Sequence, residues 1–332
     1  MANYDIFDEQ YYLSQYPWLK SAIDAGIITS GREHFEKFGQ AAGLTRISRY
    51  FDEETYLDRN PDVASFVRTE TNSDAPFASG LDHFIQFGWE EGRAGVSPNY
   101  DEAFYLANNP DILPFIQNGT FKNGYQHFVK FRVRERRLGT SFFEGDYLEK
   151  NPDIVPFVSS GLLATGREHY VKFGQFELDR SGTFIGTAGN DTVTGIGSGN
   201  VEIVGVKVSL APPSGARSYD SSGSNEFDVL IGGSSRDKFL LGDYQQFARG
   251  LPSPVVDLYI GPGFARIQNF TKGQDSIQFF GSPERYILFP INNNRDLAIQ
   301  TNNFDTVAVI EGGGNLGLNV LPGSNFSKFL LG

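Results

Sequence analysis

Tyr56-Leu57-Asp58-Arg59-Asn60-Pro61-Asp62-Val63, followed at residue 83 by His83-Phe84-Ile85-Gln86-Phe87-Gly88, is a sentence this chain writes four times. Its first phrase returns as Tyr105-Leu106-Ala107-Asn108-Asn109-Pro110-Asp111-Ile112 and as Tyr147-Leu148-Glu149-Lys150-Asn151-Pro152-Asp153-Ile154. An earlier copy, Tyr12-Leu13-Ser14-Gln15-Tyr16-Pro17-Trp18-Leu19, keeps the proline and loses the Asn and Asp. The second phrase returns as His34-Phe35-x-x-Phe38, His127-Phe128-x-x-Phe131 and His169-Tyr170-x-x-Phe173. These four histidines, spaced 49, 44 and 42 residues apart, are all the chain has. A period of about 45 residues predicts an array of stacked units in place of one enzyme-like core.

Each unit carries three helix signals. Asp8, Asp52 and Asp101 suit the N-cap of a first helix that holds the Tyr-Leu pair, and the fourth unit has Phe143 there. Asn-Pro-Asp predicts the start of a second helix. Asn caps free amides, Pro fits the first helical position, and Asp complements the helix dipole. Pro also ends the helix before it. Ser30-x-x-Glu33, Ser79-x-x-Asp82, Asn123-x-x-Gln126 and Thr165-x-x-Glu168 resemble capping boxes, so a longer third helix opens just before each histidine. His, the aromatic at +1 and Phe at +4 then fall on nearly one helical face. The units span residues 7–46, 51–95, 100–139 and 142–180.

Four histidines invite a metal or proton-relay reading. Ligands of one metal must converge within a few ångströms, whereas equivalent positions of stacked helices stand about 10 Å apart. Repetition therefore favours a buried ring hydrogen-bonded to a neighbouring helix or loop. Tyr12, Tyr56, Tyr105 and Tyr147 read as core aromatics on the same ground.

The full phrase, Tyr-Leu-x-x-Asn-Pro-Asp-Val, a Gly-containing turn, then His-Phe-x-x-Phe-Gly-x-x-Glu-Gly-Arg, resembles a module of large secreted and surface-associated bacterial proteins. The second unit keeps nearly all of it through Gly88, Glu91, Gly92 and Arg93. The third has Arg132 for the Gly, the first Leu44 for the final Arg, and the fourth Asp179 at that place. The resemblance covers about 175 residues and implies no defined catalytic role.

Of 332 residues, 28 are basic and 40 acidic, for a net charge of −12. Residues 1–180 carry 18 basic and 27 acidic residues, and 181–332 carry 10 and 13. An acidic chain without a basic tract is a poor binder of nucleic acid or anionic membranes. There is no cysteine, hence no disulfide frame or thiol chemistry. Met1-Ala2-Asn3-Tyr4-Asp5 has no basic or apolar region of a signal peptide, and no apolar run approaches a membrane span. Thirty Phe and 15 Tyr supply bulk for several small cores.

After Arg180-Ser181-Gly182 the texture turns to Gly, Ser, Thr and Asn. Gly186-Thr187-Ala188-Gly189-Asn190-Asp191-Thr192-Val193-Thr194 fits the nonapeptide Gly-Gly-x-Gly-x-Asp-x-U-x with one substitution, U being apolar. Gly232-Gly233-Ser234-Ser235-Arg236-Asp237-Lys238-Phe239-Leu240 is a second copy. Gly223 to Ile231 keeps Gly223, Asp228 and an apolar residue, and Gly195 to Ile203 has Asn200 in the Asp slot. In this spacing a six-residue turn offers carbonyls and one carboxylate to a hard cation, and the last three residues form a strand with an inward apolar side chain. Stacked turns then share Ca²⁺ through oxygen ligands. The candidate positions are Gly186, Gly189, Asp191, Asn200, Asp228, Gly232, Gly233 and Asp237. The alternative is a ladder held by apolar packing, with Asp191, Asp228 and Asp237 as turn residues.

These repeats resemble the RTX (hemolysin-type) β-roll of secreted bacterial proteins. Ile267-Gln268-Asn269-Phe270-x-x-Gly273-x-Asp275-Ser276-Ile277 resembles the strand pair that closes such rolls. Leu297-Ala298-Ile299 and Thr306-Val307-Ala308-Val309-Ile310 read as antiparallel capping strands. Residues 204–222, with Pro212-Pro213, read as an insertion. The resemblance implies type I secretion with an uncleaved C-terminal signal, to which the apolar end Phe329-Leu330-Leu331-Gly332 is suited, and ordering by calcium outside the cell.

The expected fold is therefore α + β in two domains. Four helical repeats occupy 1–180, and an RTX-like parallel β-roll with an antiparallel β cap occupies 181–332. No Gly-x-Ser-x-Gly, His-Glu-x-x-His or P-loop occurs, so no enzyme is expected. The leading expectation is a secreted structural protein that assembles with itself head to tail, as a filament, sheath or surface layer, stabilised by Ca²⁺. An array has two ends, and Tyr16 and Trp18 mark the first unit as a cap or a docking face. The second expectation is a calcium-dependent adhesin or glycan-binding module for cell-surface polysaccharide, with Tyr219, Tyr244 and Tyr259 as stacking aromatics, and a secreted hydrolase ranks below both.

Overall fold

A computed structural model describes residues 3–135, 137–211, 216–244, 255–322 and 328–332, without the side chains of Val133, Leu210, Ala211, Ala216, Tyr244, Val255 and Lys328. Pro212 and Pro213 lie outside the described residues. Helices fill the N-terminal half, and parallel and antiparallel sheets the C-terminal half. The chain divides into two compact units, Met1–Thr140 with Pro152–Glu168, and Ser141–Asn151 with His169–Gly332. No helix among the described residues is long and apolar enough to cross a membrane.

The helices follow the repeat. The first unit has α1 (Glu9–Gln15), α2 (Leu19–Asp24) and α3 (Gly31–His34). The second has α4 (Glu53–Arg59), α5 (Pro61–Ala64), α6 (Gly80–His83) and α7 (Trp89–Glu91). The third has α8 (Glu102–Asn108), α9 (Leu113–Gln117) and α10 (Gly124–Glu135). The fourth has α11 (Glu144–Lys150), α12 (Val155–Ser160) and α13 (Gly166–Lys172).

The first-helix caps form as expected. Asp8, Asp52 and Asp101 accept from the amides of Tyr11, Thr55 and Phe104, while Phe143 makes no side-chain cap. The capping boxes form with one change. Ser30, Ser79, Asn123 and Thr165 accept from the amide three residues on. The return bonds of Glu33, Asp82, Gln126 and Glu168 reach the amide before the cap, on Thr29, Ala78, Lys122 and Ala164. A further brace follows each Asp cap. Glu9 accepts from Gly31 and Arg32, Glu53 from Gly80 and Leu81, and Glu102 from Gly124 and Tyr125, so one carboxylate closes two free amides of the histidine helix.

Asn-Pro-Asp is wired differently from expectation. Asn60, Asn109 and Asn151 do not cap the following helix; each Nδ2 donates back to the Tyr carbonyl of the helix before, at 2.7–2.8 Å. Arg93 bonds Asn60 and grips Asp62 with both nitrogens at 2.9 and 2.7 Å, and Arg137 does the same to Asn109 and Asp111. In the fourth repeat the role passes to Arg180, which bonds Asn151 at 2.8 Å, one place after Asp179. The first repeat lacks Asn, Asp and Arg together and has Tyr16, Trp18 and Leu44, a polar latch exchanged as a set for an apolar one.

The array of the first unit does not have two free ends. Within that unit, α1 of the first repeat meets α12 of the fourth. Ser14 and Gln15 donate to the Gly161 carbonyl at 2.8 and 2.9 Å, and Gln10 to Ser159. Arg49 bonds Asp8 and donates to the carbonyls of Val158, Leu163 and Ala164. One flank of the first repeat is thus covered by its own chain, because α12 ends in carbonyls that need donors.

The second unit holds β1 (Ser181–Gly186), β2 (Thr192–Thr194), β3 (Asn200–Ala211), β4 (Ala216–Tyr219), β5 (Phe227–Ile231), β6 (Arg236–Leu240) and β7 (Gly242–Tyr244). It continues with β8 (Val255–Asp257), β9 (Phe264–Gln268), β10 (Ser276–Phe280), β11 (Tyr286–Ile291), β12 (Asp296–Thr301), β13 (Thr306–Ile310) and β14 (Lys328–Leu331). One sheet runs β1-β3-β6-β10-β14, with β4 on β3, and the other runs β11-β12-β13-β9-β5-β2. Strands β1, β3, β6 and β10 are parallel, as are β2, β5, β9 and β13, and β14, β12 and β11 pair antiparallel. Along the chain the parallel strands alternate between the sheets. Strands β9 and β10, expected to close the sheet as a pair, accordingly lie in different sheets. The expected insertion at 204–222 extends β3 into a hairpin with β4. Phe329 and Leu331 are buried on β10.

Strand β1 also completes the fourth repeat. The first three repeats close by donation from Asp8, Asp52 and Asp101 to the carbonyls of Ile47, Val96 and Gly139. In the fourth, Phe143 donates to Thr183 on β1, and Ile185 to Ser141. A buried ionic network joins α11 to the sheet. Arg217 contacts Asp146 at 2.8 Å and Glu202 at 2.5 Å, Lys150 contacts both carboxylates, and Lys238 contacts Glu202. Burial pushes both carboxyls up, and the surrounding cations outweigh it, holding both below the usual range.

Candidate functional site: carboxylate pairs in the sheet unit

The turns that lead into the parallel strands place aspartates in two columns. Asp191 donates its amide to Asp228 Oδ1 at 2.8 Å, and the column continues through Ala265 and Ala308. Asp237 donates its amide to Asp275 Oδ1 at 3.0 Å, and this column is reached through Gly182 and Val201. Asp191, Asp237 and Asp275 also fold back on their own turns, accepting from the amides of Thr187, Gly233 and Thr271 at 2.6–2.7 Å. Two carboxylates therefore stack in each column with the same backbone link.

Asp228, Asp237 and Asp275 are buried, at 0, 1 and 2% exposure, and none of the four forms an ion pair among the described residues. Burial pushes all four carboxyls up, Asp228 to about 6. Beside Asp228, burial brings Glu226 to about 7. Asp228 Oδ2 accepts the Tyr259 hydroxyl at 2.5 Å. The donors are all hard oxygens with uncompensated charge, a set that suits a divalent cation such as Ca²⁺ better than a soft metal. Among the described residues no three His, Asp or Glu side chains converge, so further ligands for a cation would come from backbone carbonyls or water.

The glycines at Asp−5 have a steric reason. A Cβ on Gly186 would meet the Gly205 carbonyl at 1.6 Å and Asp191 Oδ2 at 2.9 Å, and one on Gly232 would meet Asp237 Oδ2 at 2.6 Å. Gly189 and Gly233 have no such reason, since a Cβ there would meet nothing nearer than 3.9 and 3.5 Å. Asn200 is not in the Asp slot. The register sets it opposite Arg236 and sets Val201 opposite Asp237, a slip of one residue that turns Asn200 to the other face.

The nonapeptide pattern does not mark Asp275 or Glu226 as site residues, and Tyr259 is expected from the sequence only as a sugar-stacking aromatic. Asp275 had a signal, since Thr271-x-Gly273-x-Asp275 repeats the spelling of Thr187-x-Gly189-x-Asp191. For Tyr259 no pattern points to Asp228; it reaches that carboxylate from a φ of 61°, a left-handed conformation that a bulky residue adopts only when its surroundings fix it. It is fully buried and cannot stack on a sugar. Tyr219 is half-buried and donates to Asp243 at 2.5 Å, and the Tyr244 side chain lies outside the described residues.

Each of the four histidines is buried and tied to a tyrosine of its own repeat. Their Nδ1 atoms hydrogen-bond the hydroxyls of Tyr12, Tyr56, Tyr105 and Tyr147 at 2.8–2.9 Å, each within its own repeat. Burial lowers the pKa of His34, His83 and His127, favouring the neutral ring. The aromatic at +1 is buried, while Phe38 and Phe87 at +4 lie half in solvent against the histidine ring. In the first two repeats the chain winds a π-turn there, Phe35–Gly39 and Phe84–Gly88, whose glycines lie against the Tyr hydroxyls. Arg132 replaces that glycine in the third, and the helix stays regular. Tyr16 is half-buried on Tyr12, whereas Trp18 is 59% exposed and meets His34 edge-on. Compared with family models, curated proteins and solved structures, the chain matches none.

Proposed function

We propose that this is a secreted, non-catalytic structural protein that assembles with itself outside a bacterial cell, with calcium ordering an RTX-like β-roll in its C-terminal half. The observation that carries the reading is the pair of carboxylate columns. Asp191 with Asp228, and Asp237 with Asp275, put buried negative charge at successive turns without a cationic partner among the described residues. A divalent cation would supply the missing charge, and its abundance outside the cell would couple ordering to export.

Self-assembly is supported by large apolar side chains left in solvent on the first unit. Trp18, Phe38, Phe66, Phe87, Phe115 and Phe157 are each about half exposed, and Phe66, Phe115 and Phe157 occupy one position of the repeat. Exposed aromatics that recur at one repeat position are candidates for a protein–protein surface. With one flank of the first repeat covered by α12, a head-to-tail contact would use Trp18 and these aromatics rather than a bare end of the array. Purified protein imaged by electron microscopy in millimolar Ca²⁺ is expected to show filaments or sheets that EGTA disperses. A monomer by light scattering in both conditions would contradict the reading.

A further inference from the structure

We propose that a groove on the outer face of the parallel sheet β1-β3-β6-β10 binds an acidic saccharide, a pyranose carrying a carboxylate. The groove has a volume of about 380 Å³, within the range of about 300–1,000 Å³ that holds small ligands. Strand register lays its floor in two rows. Ser181, Asn200 and Arg236 are neighbours across β1, β3 and β6, and Glu202, Lys238 and Ser276 across β3, β6 and β10. Parallel strands stand about 4.8 Å apart, about the width of a sugar ring, so adjacent side chains meet adjacent hydroxyls.

The hydrogen-bonding capacity in the groove is open. Asn200 Nδ2 donates to the Leu178 carbonyl at 3.2 Å, while its Oδ1 and the hydroxyls of Ser181 and Ser276 have no protein partner among the described residues. Arg236 is exposed and forms no ion pair among them. Glu202 does not repel an anion, because Arg217, Lys150 and Lys238 surround it. Asp237 points inward to its column. On the rim, exposed Asp179 can accept sugar hydroxyls, and Leu178, 90% exposed, offers a surface to the C–H face of a ring.

These features choose among ligands. A free phosphate would use Arg236 and leave the amide and hydroxyl groups idle. An apolar molecule would meet a largely polar floor, with Leu178 on the rim as its main apolar contact. A neutral sugar would leave the guanidinium fork unmatched, and a carboxylate fills it in two-point geometry. With a net charge of −12, the protein gains nothing from its overall field in binding an acid, so the attraction must be local. The inference takes from the surface-protein reading only the source of the saccharide and does not use the calcium turns.

The test is calorimetric titration of the full chain, in Ca²⁺ buffer, with a glucuronate-containing tetrasaccharide and its carboxyl-reduced counterpart. The acidic sugar is expected to bind at least tenfold more tightly than the reduced one. R236A is expected to abolish that preference, and R236K to keep part of it. Arg236 is exposed, so an unchanged melting temperature in R236A separates lost binding from lost folding. Absence of heat with either sugar, equal affinity for both, or undiminished preference in R236A would overturn the proposal. The calcium response of melting in the same samples reports on the carboxylate columns separately.

Discussion

Arg217→Ala is expected to cost the second unit about 3–5 kcal/mol, the range for removing one partner of a buried ion network. Arg217 reaches Asp146, Thr183 and Glu202 together and so joins α11, β1 and β3. Its loss leaves two buried carboxylates with only Lys150, shared between them, and Lys238 on Glu202, and both lysines are more exposed than Arg217. Because the penalty comes from stranded charge, Glu202→Gln in the same chain is expected to restore part of the loss. Chemical denaturation followed by near-ultraviolet circular dichroism measures both. A loss under about 1 kcal/mol, the value of a solvent-exposed pair, would show that the network is screened and does not hold α11 on the sheet.

Arg49→Ala is expected to destabilise the first unit by about 2–4 kcal/mol, since charged hydrogen bonds contribute about 1.5–3 kcal/mol each and several carbonyls lose their donor at once. The guanidinium is only 12% exposed and ties Asp8, the cap of α1, to the end of α12. Gly161, at φ 83° and packed on Ser14 and Tyr11, ends α12 beside it. Hydrogen exchange is expected to quicken in α12 and at the start of α1, and to stay unchanged in α6 and α10. Arg49→Lys keeps the charge but lacks the fork, and is expected to fall between wild type and alanine. Uniform quickening across all four repeats would mean that Arg49 supports the core generally rather than the closure of the first repeat on the fourth.

The features legible in the sequence are the local ones. Caps at Asp8, Asp52 and Asp101 and at Ser30, Ser79, Asn123 and Thr165 are decided within three residues, and a short template finds them. The Arg latch was half legible. Arg93 and Arg137 stand at one repeat position, but Arg180 is displaced by one residue, where the fourth repeat winds a short 3₁₀ turn in place of the π-turn. Asn200 failed for a related reason: a nonapeptide template counts residues, whereas the strand pairs Val201, and one step in a strand exchanges the faces. Contacts between distant segments left no local mark. Tyr259 reaches Asp228, and Arg49 reaches Val158, through chain reversals that no short pattern encodes.

The central claim is that the carboxylate columns await a cation, and thermal melting of the second unit with and without Ca²⁺ at two pH values tests it most directly. The carboxyls of Asp191, Asp228, Asp237 and Asp275 are raised by folding from 3.8, so without cation the folded state binds protons more readily than the unfolded state. Stability is then full below the unfolded pKa and is lost as pH rises through the folded values, about 6 for Asp228. Calcium opposes that loss by binding the ionised form. The account predicts a melting temperature that, in EGTA, falls from pH 5 to pH 7.5. It predicts that Ca²⁺ raises the value strongly at pH 7.5 and little at pH 5, and that Asp228→Asn with Asp237→Asn removes most of the response. A melting temperature indifferent to Ca²⁺ at pH 7.5 would contradict it and leave the four aspartates as turn residues of an apolar ladder.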